Sequence, residues 1–269
     1  MKCPSPQILL LAVVLALVSG RATASEAQGP ADVELLSAVT AVGEEPVLAG
    51  ILIRLAPGWK TYWRNPGDSG IAPTLDSSGS ENLAAMELLW PAPTRFDLAG
   101  ETIFGYEKEI VLPLLLRAAD PEKRIHLKLA LDYAVCSTLC VPLSTKLELD
   151  IPAGRTSDSE NAMLLRRALS RVPVAPREPE AIDLSFEPGL KPHLRIRCGE
   201  CASSDGPPEL IVDGPSGIWF GRPEVRKAGK AILYAVPVEI EPGFSLAGEK
   251  VRLIFAASSG AIEVERQLP

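Results

Sequence analysis

Residues 125–135 alternate without interruption. Ile125, Leu127, Leu129, Leu131, Tyr133 and Val135 fall on one parity, and His126, Lys128, Ala130, Asp132 and Ala134 on the other. A period of two held this long predicts a half-buried β-strand. It is incompatible with an amphipathic helix, whose apolar positions recur every three to four residues. The run leads straight into Cys136-Ser137-Thr138-Leu139-Cys140-Val141-Pro142, and Leu143 to Ile151 reads as the return strand. The chain must therefore accommodate a long hairpin with two cysteines at its turn.

The rest of the first half follows the same pattern. Val33, Leu35 and the Ala38–Val42 stretch, Val47 to Leu55, Glu87 to Trp90 and Glu109 to Leu116 read as strands. Glu44-Glu45-Pro46, Pro57-Gly58, Asn65-Pro66-Gly67-Asp68, Pro91-Ala92-Pro93 and Ala119-Asp120-Pro121-Glu122 are turns, because proline and glycine stop strands and asparagine and aspartate bond to their own backbone. Residues 95–108 read as a connection rich in aromatics and charge. A single helix is expected over Asn161 to Val172, capped by Ser157 to Glu160, with Met163, Leu164, Ala168 and Leu169 in helical spacing. Pro173, Pro176 and Pro179 follow it. A second β-rich region starts at Ala181, with strands at Ile182–Phe186, Leu194–Cys198, Glu209–Val212, Ala231–Ile240, Lys250–Ala256 and Ile262–Val264.

Short strands between turn signals predict an all-β chain of two β-sandwich domains joined by a short helix and a proline-rich linker. The expected divisions are a signal peptide over 1–24, a first domain over 25–153, a linker over 154–180 and a second domain over 181–269.

The leader sets the compartment. Lys2, the apolar run Ile8 to Val18 and the small-x-small motif Ala22-Thr23-Ala24 make a secretory signal peptide. The apolar run is too short for a permanent membrane span, and no other stretch approaches that length, so the chain is expected not to be transmembrane itself. The formal net charge is −7, and loss of Lys2 and Arg21 with the leader makes the exported chain more acidic still. That balance argues against nucleic acid as a partner, since nucleic-acid binding needs a basic face. Cys3 leaves with the leader. Cys136, Cys140, Cys198 and Cys201 remain, an even number suited to disulfides in an oxidising compartment.

The spacing of Cys136 and Cys140 admits three chemistries. A pair flanking a three-residue turn can meet disulfide geometry and exchange with a partner's thiolate through a mixed disulfide. It can equally be a hairpin staple. Joined with Cys198 and Cys201 it would make a four-thiolate zinc site, which an oxidising space disfavours, so no metal or other cofactor is expected. No lysine, arginine or histidine lies within four residues of Cys136 or Cys140, and Asp132 adds negative charge. The pair therefore reads as one that receives attack rather than as an activated nucleophile. Cys198 and Cys201 lie beside Arg195 and Arg197, but no helix follows them, and they read as a structural disulfide. His126 and His193 are isolated, and neither a Ser-His-Asp signature nor a phosphate loop is present. The block Gly58 to Gly70 gathers Trp59, Tyr62 and Trp63, which either fill a core or wall off the cysteines.

The segments GWKTYWRNPGDSG, WPAPTRF, ETIFGYEKEIVLPL and LDYAVCSTLCVP resemble the periplasmic N-terminal domain of DsbD-type disulfide reductases, within the branch of the suppressor-of-copper-sensitivity membrane reductases. The resemblance covers about residues 33–152. It implies immunoglobulin-like sandwiches and an exchangeable pair, Cys136 and Cys140, with Cys140 forming the mixed disulfide. It implies a cap over the pair on Thr102, Ile103, Phe104, Gly105 and Tyr106, with Trp59, Tyr62 and Trp63 as shielding neighbours. The implied partners are a membrane-embedded disulfide reductase and periplasmic thioredoxin-like proteins. The expected function is a periplasmic relay of two electrons. The alternative is a non-catalytic binding or adaptor protein, linked to copper stress, whose disulfides are only structural.

Overall fold

The computed structural model describes residues 29–43, 46–98, 100–199, 201 and 206–268. The expected signal peptide, most of the turn at 44–46 and the loop after Cys201 lie outside them. The elements in chain order are β1 (Ala31–Ser37), β2 (Val47–Leu55), β3 (Lys60–Gly67), β4 (Thr74–Asp76), β5 (Leu83–Leu88), β6 (Thr94–Leu98), β7 (Glu101–Glu107), β8 (Glu109–Ala118), β9 (Ile125–Cys136), β10 (Cys140–Ile151) and α1 (Ala162–Leu169). A single 3-10 turn over Pro179–Ala181 leads into β11 (Ile182–Glu187), β12 (His193–Cys198), β13 (Glu209–Asp213), β14 (Ile218–Phe220), β15 (Glu224–Ala228), β16 (Ala231–Ile240), β17 (Lys250–Ala257) and β18 (Gly260–Gln267).

The chain forms two immunoglobulin-like β-sandwiches. In the first, the sheet β1-β2-β8-β5 faces the sheet β10-β9-β3-β7-β6, onto which β4 is added beside β9. In the second, β11-β12-β16-β14, with β15 also on β16, faces β13-β17-β18. The odd residues of β9, from Ile125 to Val135, all enter the first core with Ala49, Ile51, Ile53, Ile110, Leu112, Leu114 and Leu116. That is the face its alternation predicts. The second core gathers Leu194, Ile196, Ile232, Tyr234, Val236, Val251, Leu253 and Phe255.

Strands β2 and β8 read as nearly continuous apolar runs because both of their faces are covered. One face lies in the core, and on the other Leu52 and Val111 meet Ala162, Leu165 and Ala168 of α1. Gly50 makes room for the helix, since a Cβ there would strike the Leu165 side chain. The helix docks through Ala162, Leu165 and Ala168, with Leu164 alongside. Of the residues read in helical spacing, Leu164 and Ala168 thus pack on the sheet, while Met163 is exposed.

One further expectation changes. Residues 95–108 are not a connection: they form the hairpin β6–β7, paired from Leu98↔Glu101 to Thr94↔Gly105. Its aromatics lie on a strand, where their alternation was masked by the interleaved charges. The start of the proline-rich segment is hydrogen-bonded to both sandwiches. The Ala92 amide donates to the Arg171 carbonyl, and Val174 bonds to Ala261 and Glu263 of β18.

Candidate functional site: a paired cysteine face

The turn of the β9–β10 hairpin places the cysteines directly opposite each other, Cys136↔Cys140, with Cα atoms 4.1 Å apart and a disulfide between them. The two sulfurs differ in access. Cys136 is 2% exposed, whereas Cys140 and its neighbour Leu139 lie at the surface. Even-numbered residues of β9 point away from the core. Cys136 and Ala134 therefore form a separate apolar cluster on the outer face of the sheet with Tyr62 and Ile103, against which Phe96 and Leu98 pack.

Tyr62 reaches across this face, with Oη 3.0 Å from Cys140 Sγ. A disulfide sulfur carries no proton, so the tyrosine donates. Burial first, and then the Glu101 carboxylate, pushes the Tyr62 hydroxyl above its ordinary pKa. It stays protonated, and hence a donor, throughout the neutral range. Gly70, at φ +128°, lies flat against the Tyr62 ring, where any Cβ would collide.

Strand β3 carries a bulge that organises the site. Tyr62 pairs with Gly105 and Gly67 pairs with Ile103, so residues 63–66 loop out beyond the ladder. The expected turn at Asn65-Pro66-Gly67-Asp68 is thus the end of this bulge. Asp68 closes it, with its amide donating to the Thr102 carbonyl and its carboxylate accepting from the Thr102 amide at 2.7 Å. Gly105 lets the strands meet closely, since a Cβ there would strike the Thr61 carbonyl.

The expected shielding residues divide between two faces. Tyr62 and Ile103 lie with Cys136. Trp63, Phe104 and Tyr106 turn into the sandwich core, and Trp59 packs against it. The Phe104 ring meets Trp63 edge-on at 6.4 Å, and the Tyr106 hydroxyl donates to the Pro91 carbonyl at 2.7 Å. Strand alternation separates Phe104 from Ile103, so Phe104 and Tyr106 support the site from beneath rather than cover it. Gly105 contributes backbone proximity and no shielding.

Several residues at the site escaped the sequence reading. Lys60 sits in register opposite Cys136, so a basic residue does stand beside the pair, supplied by another strand. Arg64 leaves the bulge to contact Asp213 at 3.2 Å and Glu263 at 2.8 Å in the second sandwich, and Asn65 bonds to Asp213 at 2.9 Å. Arg95 stacks on Phe104 and reaches Glu209 and the Leu210 carbonyl. Ile211 and Ile254 join the first sandwich's core cluster, so the bulge beside the cysteines is tied to the second sandwich. The i, i+2 spacing of Lys60 and Tyr62 was the available signal for a shared face.

Cys198 ends β12 within the second core, and Cys201, bonded to it, packs against that core. The histidines sit among surface carboxylates, His126 with Asp150 at 2.8 Å and His193 with Glu187 at 3.0 Å.

Residues 32–152 match the family described as Thiol:disulfide interchange protein DsbD, N-terminal. The crystal structure of the N-terminal periplasmic domain of ScsB from Proteus mirabilis superposes with a TM-score of 0.70 at 25% identity, covering 90% of this chain and 94% of that one. The first sandwich is a DsbD-type N-terminal domain of the ScsB branch. The superposition extends well beyond that domain into the second sandwich. The reduced DsbD N-terminal domain of Neisseria meningitidis also matches, at 18% identity over 46% of this chain and 90% of that one, with a TM-score of 0.26. No curated protein sequence matches. The family's chemistry is thiol–disulfide exchange, and the DsbD-type domain here holds a disulfide at the turn of its long hairpin. No helix among the described residues is long and apolar enough to cross a membrane.

Proposed function

We propose that the chain is a periplasmic thiol–disulfide exchange module that relays two electrons through Cys136 and Cys140. The observation that carries this reading is the asymmetry of the pair. Cys140 Sγ is open to an incoming thiolate and accepts a hydrogen bond from Tyr62, while Cys136 is buried behind it. A partner's thiolate attacks Cys140, a mixed disulfide forms, and Cys136 is the sulfur released. Such a geometry suits a site met by partners. The proposed partners are a membrane-embedded disulfide reductase and thioredoxin-like proteins, with the leader over 1–24 delivering the chain to the periplasm. The proposed organisation is a DsbD-type domain over 25–153, a linker over 154–180 and a second domain over 181–269, with Cys198 and Cys201 as a structural disulfide.

The test is trapping with single-cysteine variants and a thioredoxin-like protein as probe. Cys136→Ser leaves Cys140 free and should accumulate a mixed disulfide, whereas Cys140→Ser should capture little. Failure of both variants, with a native disulfide that glutathione cannot reduce, would favour an adaptor whose disulfides are structural.

A further inference from the structure

A row of four residues crosses the outer face of the redox sheet, one from each of four adjacent strands. Cys140 of β10 pairs with Cys136 of β9, Cys136 with Lys60 of β3, and Lys60 with Glu107 of β7. Residues paired across antiparallel strands project to the same face, with Cβ atoms about 4.5–5.5 Å apart. The Lys60 ammonium rests 5.1 Å from the centroid of the Phe96 ring, and Phe96 packs on the cluster that buries Cys136. A cation on a flexible stem therefore stands at the rim of the Cys136 pocket.

Exchange places a charge in that pocket. When a partner's thiolate attacks Cys140 Sγ, a new sulfur–sulfur bond forms and the Cys136–Cys140 bond breaks. Its electron pair leaves on Cys136 as a thiolate. In the opposite direction the Cys136 thiolate attacks Cys140 Sγ of the mixed disulfide and expels the partner's thiolate. Either way an anion resides on a sulfur that is 2% exposed, and burial opposes it. The geometry points to Lys60 as the electrostatic partner of Cys136, resting on Phe96 while the pair is oxidised and turning to the Cys136 sulfur when the thiolate forms. This rests on the exchange reading above.

The other charges on this face act against a thiolate. Glu107 is next in the row, Asp132 lies four residues before Cys136 on the same face of β9, and Glu101 acts on Tyr62. Asp68 is tied to the Thr102 amide. The Tyr62 hydroxyl bonds to Cys140 rather than to Cys136. Lys60 is the group in this set that compensates Cys136.

The test compares the full chain with Lys60→Met, Lys60→Arg and Glu107→Gln. After phosphine reduction, the pH dependence of Cys136 alkylation, read by peptide mass, gives its thiol pKa. Lys60→Met should raise that pKa by about one unit, Lys60→Arg should leave it near the native value, and Glu107→Gln should lower it. Reduction of the native disulfide by dithiothreitol at neutral pH should slow several-fold in Lys60→Met, because Cys136 is the leaving sulfur and a higher leaving-group pKa slows exchange, and the difference should shrink in 1 M salt. An unchanged Cys136 pKa in a folded Lys60→Met protein overturns the inference even if exchange is intact. If the native disulfide resists dithiothreitol and captures no partner, the exchange reading itself fails, while the alkylation measurement still reports on Lys60.

Discussion

The hydroxyl of Tyr62 donates to Cys140 Sγ at 3.0 Å, from a ring pinned beneath Gly70 on a strand whose next residues contact the second sandwich. Tyr62→Phe keeps the ring and removes the donor. A net hydrogen bond contributes about 1 kcal/mol to stability, so the oxidised variant should lose about that much, and because the donor strengthens as charge develops on the attacked sulfur, reduction of the disulfide by a small thiol should slow several-fold. An unchanged rate would remove Tyr62 from the exchange chemistry.

Arg64 holds the two sandwiches together. Its guanidinium stacks 4.4 Å from the Trp63 ring and pairs with Asp213 and Glu263, both largely buried. Arg64→Ala leaves Asp213 to Asn65 and to Arg252 at 3.6 Å. The expected loss is about 1–3 kcal/mol, below the full cost of breaking a buried pair because some solvent remains. Calorimetry should show the unfolding transition broaden or split. A single unshifted transition would mean that the apolar contact of Ile211 and Ile254 suffices.

Gly105 of β7 lies directly against the Thr61 carbonyl of β3. A methyl group there meets the Thr61 carbonyl, which is main chain and cannot rotate away. Gly105→Ala should cost about 2 kcal/mol or more, as overpacking does. It should also disturb Tyr62, whose Cα is among the nearest atoms. Thermal unfolding and the tyrosine environment in near-ultraviolet circular dichroism read both effects.

All four tyrosines, Tyr62, Tyr106, Tyr133 and Tyr234, have pKa values raised above the ordinary value, with burial the first cause in each. A folded pKa above the unfolded one contributes stability that is fully present below the unfolded pKa. That stability is lost as pH rises through the folded value. Tyrosinate absorbance at pH 10 should therefore be lower in the folded protein than in the unfolded one and should grow with alkaline unfolding. Equal absorbance in the two states at pH 10 would contradict the burial of these hydroxyls.

The disulfide Cys198–Cys201 closes a short loop at the end of β12. The chain-entropy argument assigns such a loop about 2 kcal/mol. The double variant with serine at both positions should lose about that much stability and keep exchange at Cys136 and Cys140. Loss of exchange would give the second pair a redox role.

Much of the architecture was legible in the alternation. The strand over 125–135 and its return were readable because one face is core and the other is not. Strand β2 was readable from turn signals at both ends. The β6–β7 hairpin was not, because Arg95, Asp97, Glu101 and Glu107 interrupt its apolar positions and read as a solvated connection. The helix was found, with Leu164 and Ala168 on its packed side, but the exposure of Met163 and the burial of Leu165 depend on where α1 meets Gly50, Leu52 and Val111.

The sequence by itself determined the all-β character, the cysteine hairpin and the clustering of aromatic residues near it, since these follow from local spacing and side-chain type. Tertiary structure decided which aromatics face the cysteines. Tyr62 and Ile103 go to the outer face, while Trp63 and Phe104 go to the core, because the pleat and the β3 bulge assign each residue its side. It also decided that Lys60 stands opposite Cys136 and that Arg64 meets Asp213. The members of each pair are far apart in the chain, and only strand pairing and the packing of one sandwich on the other bring them together.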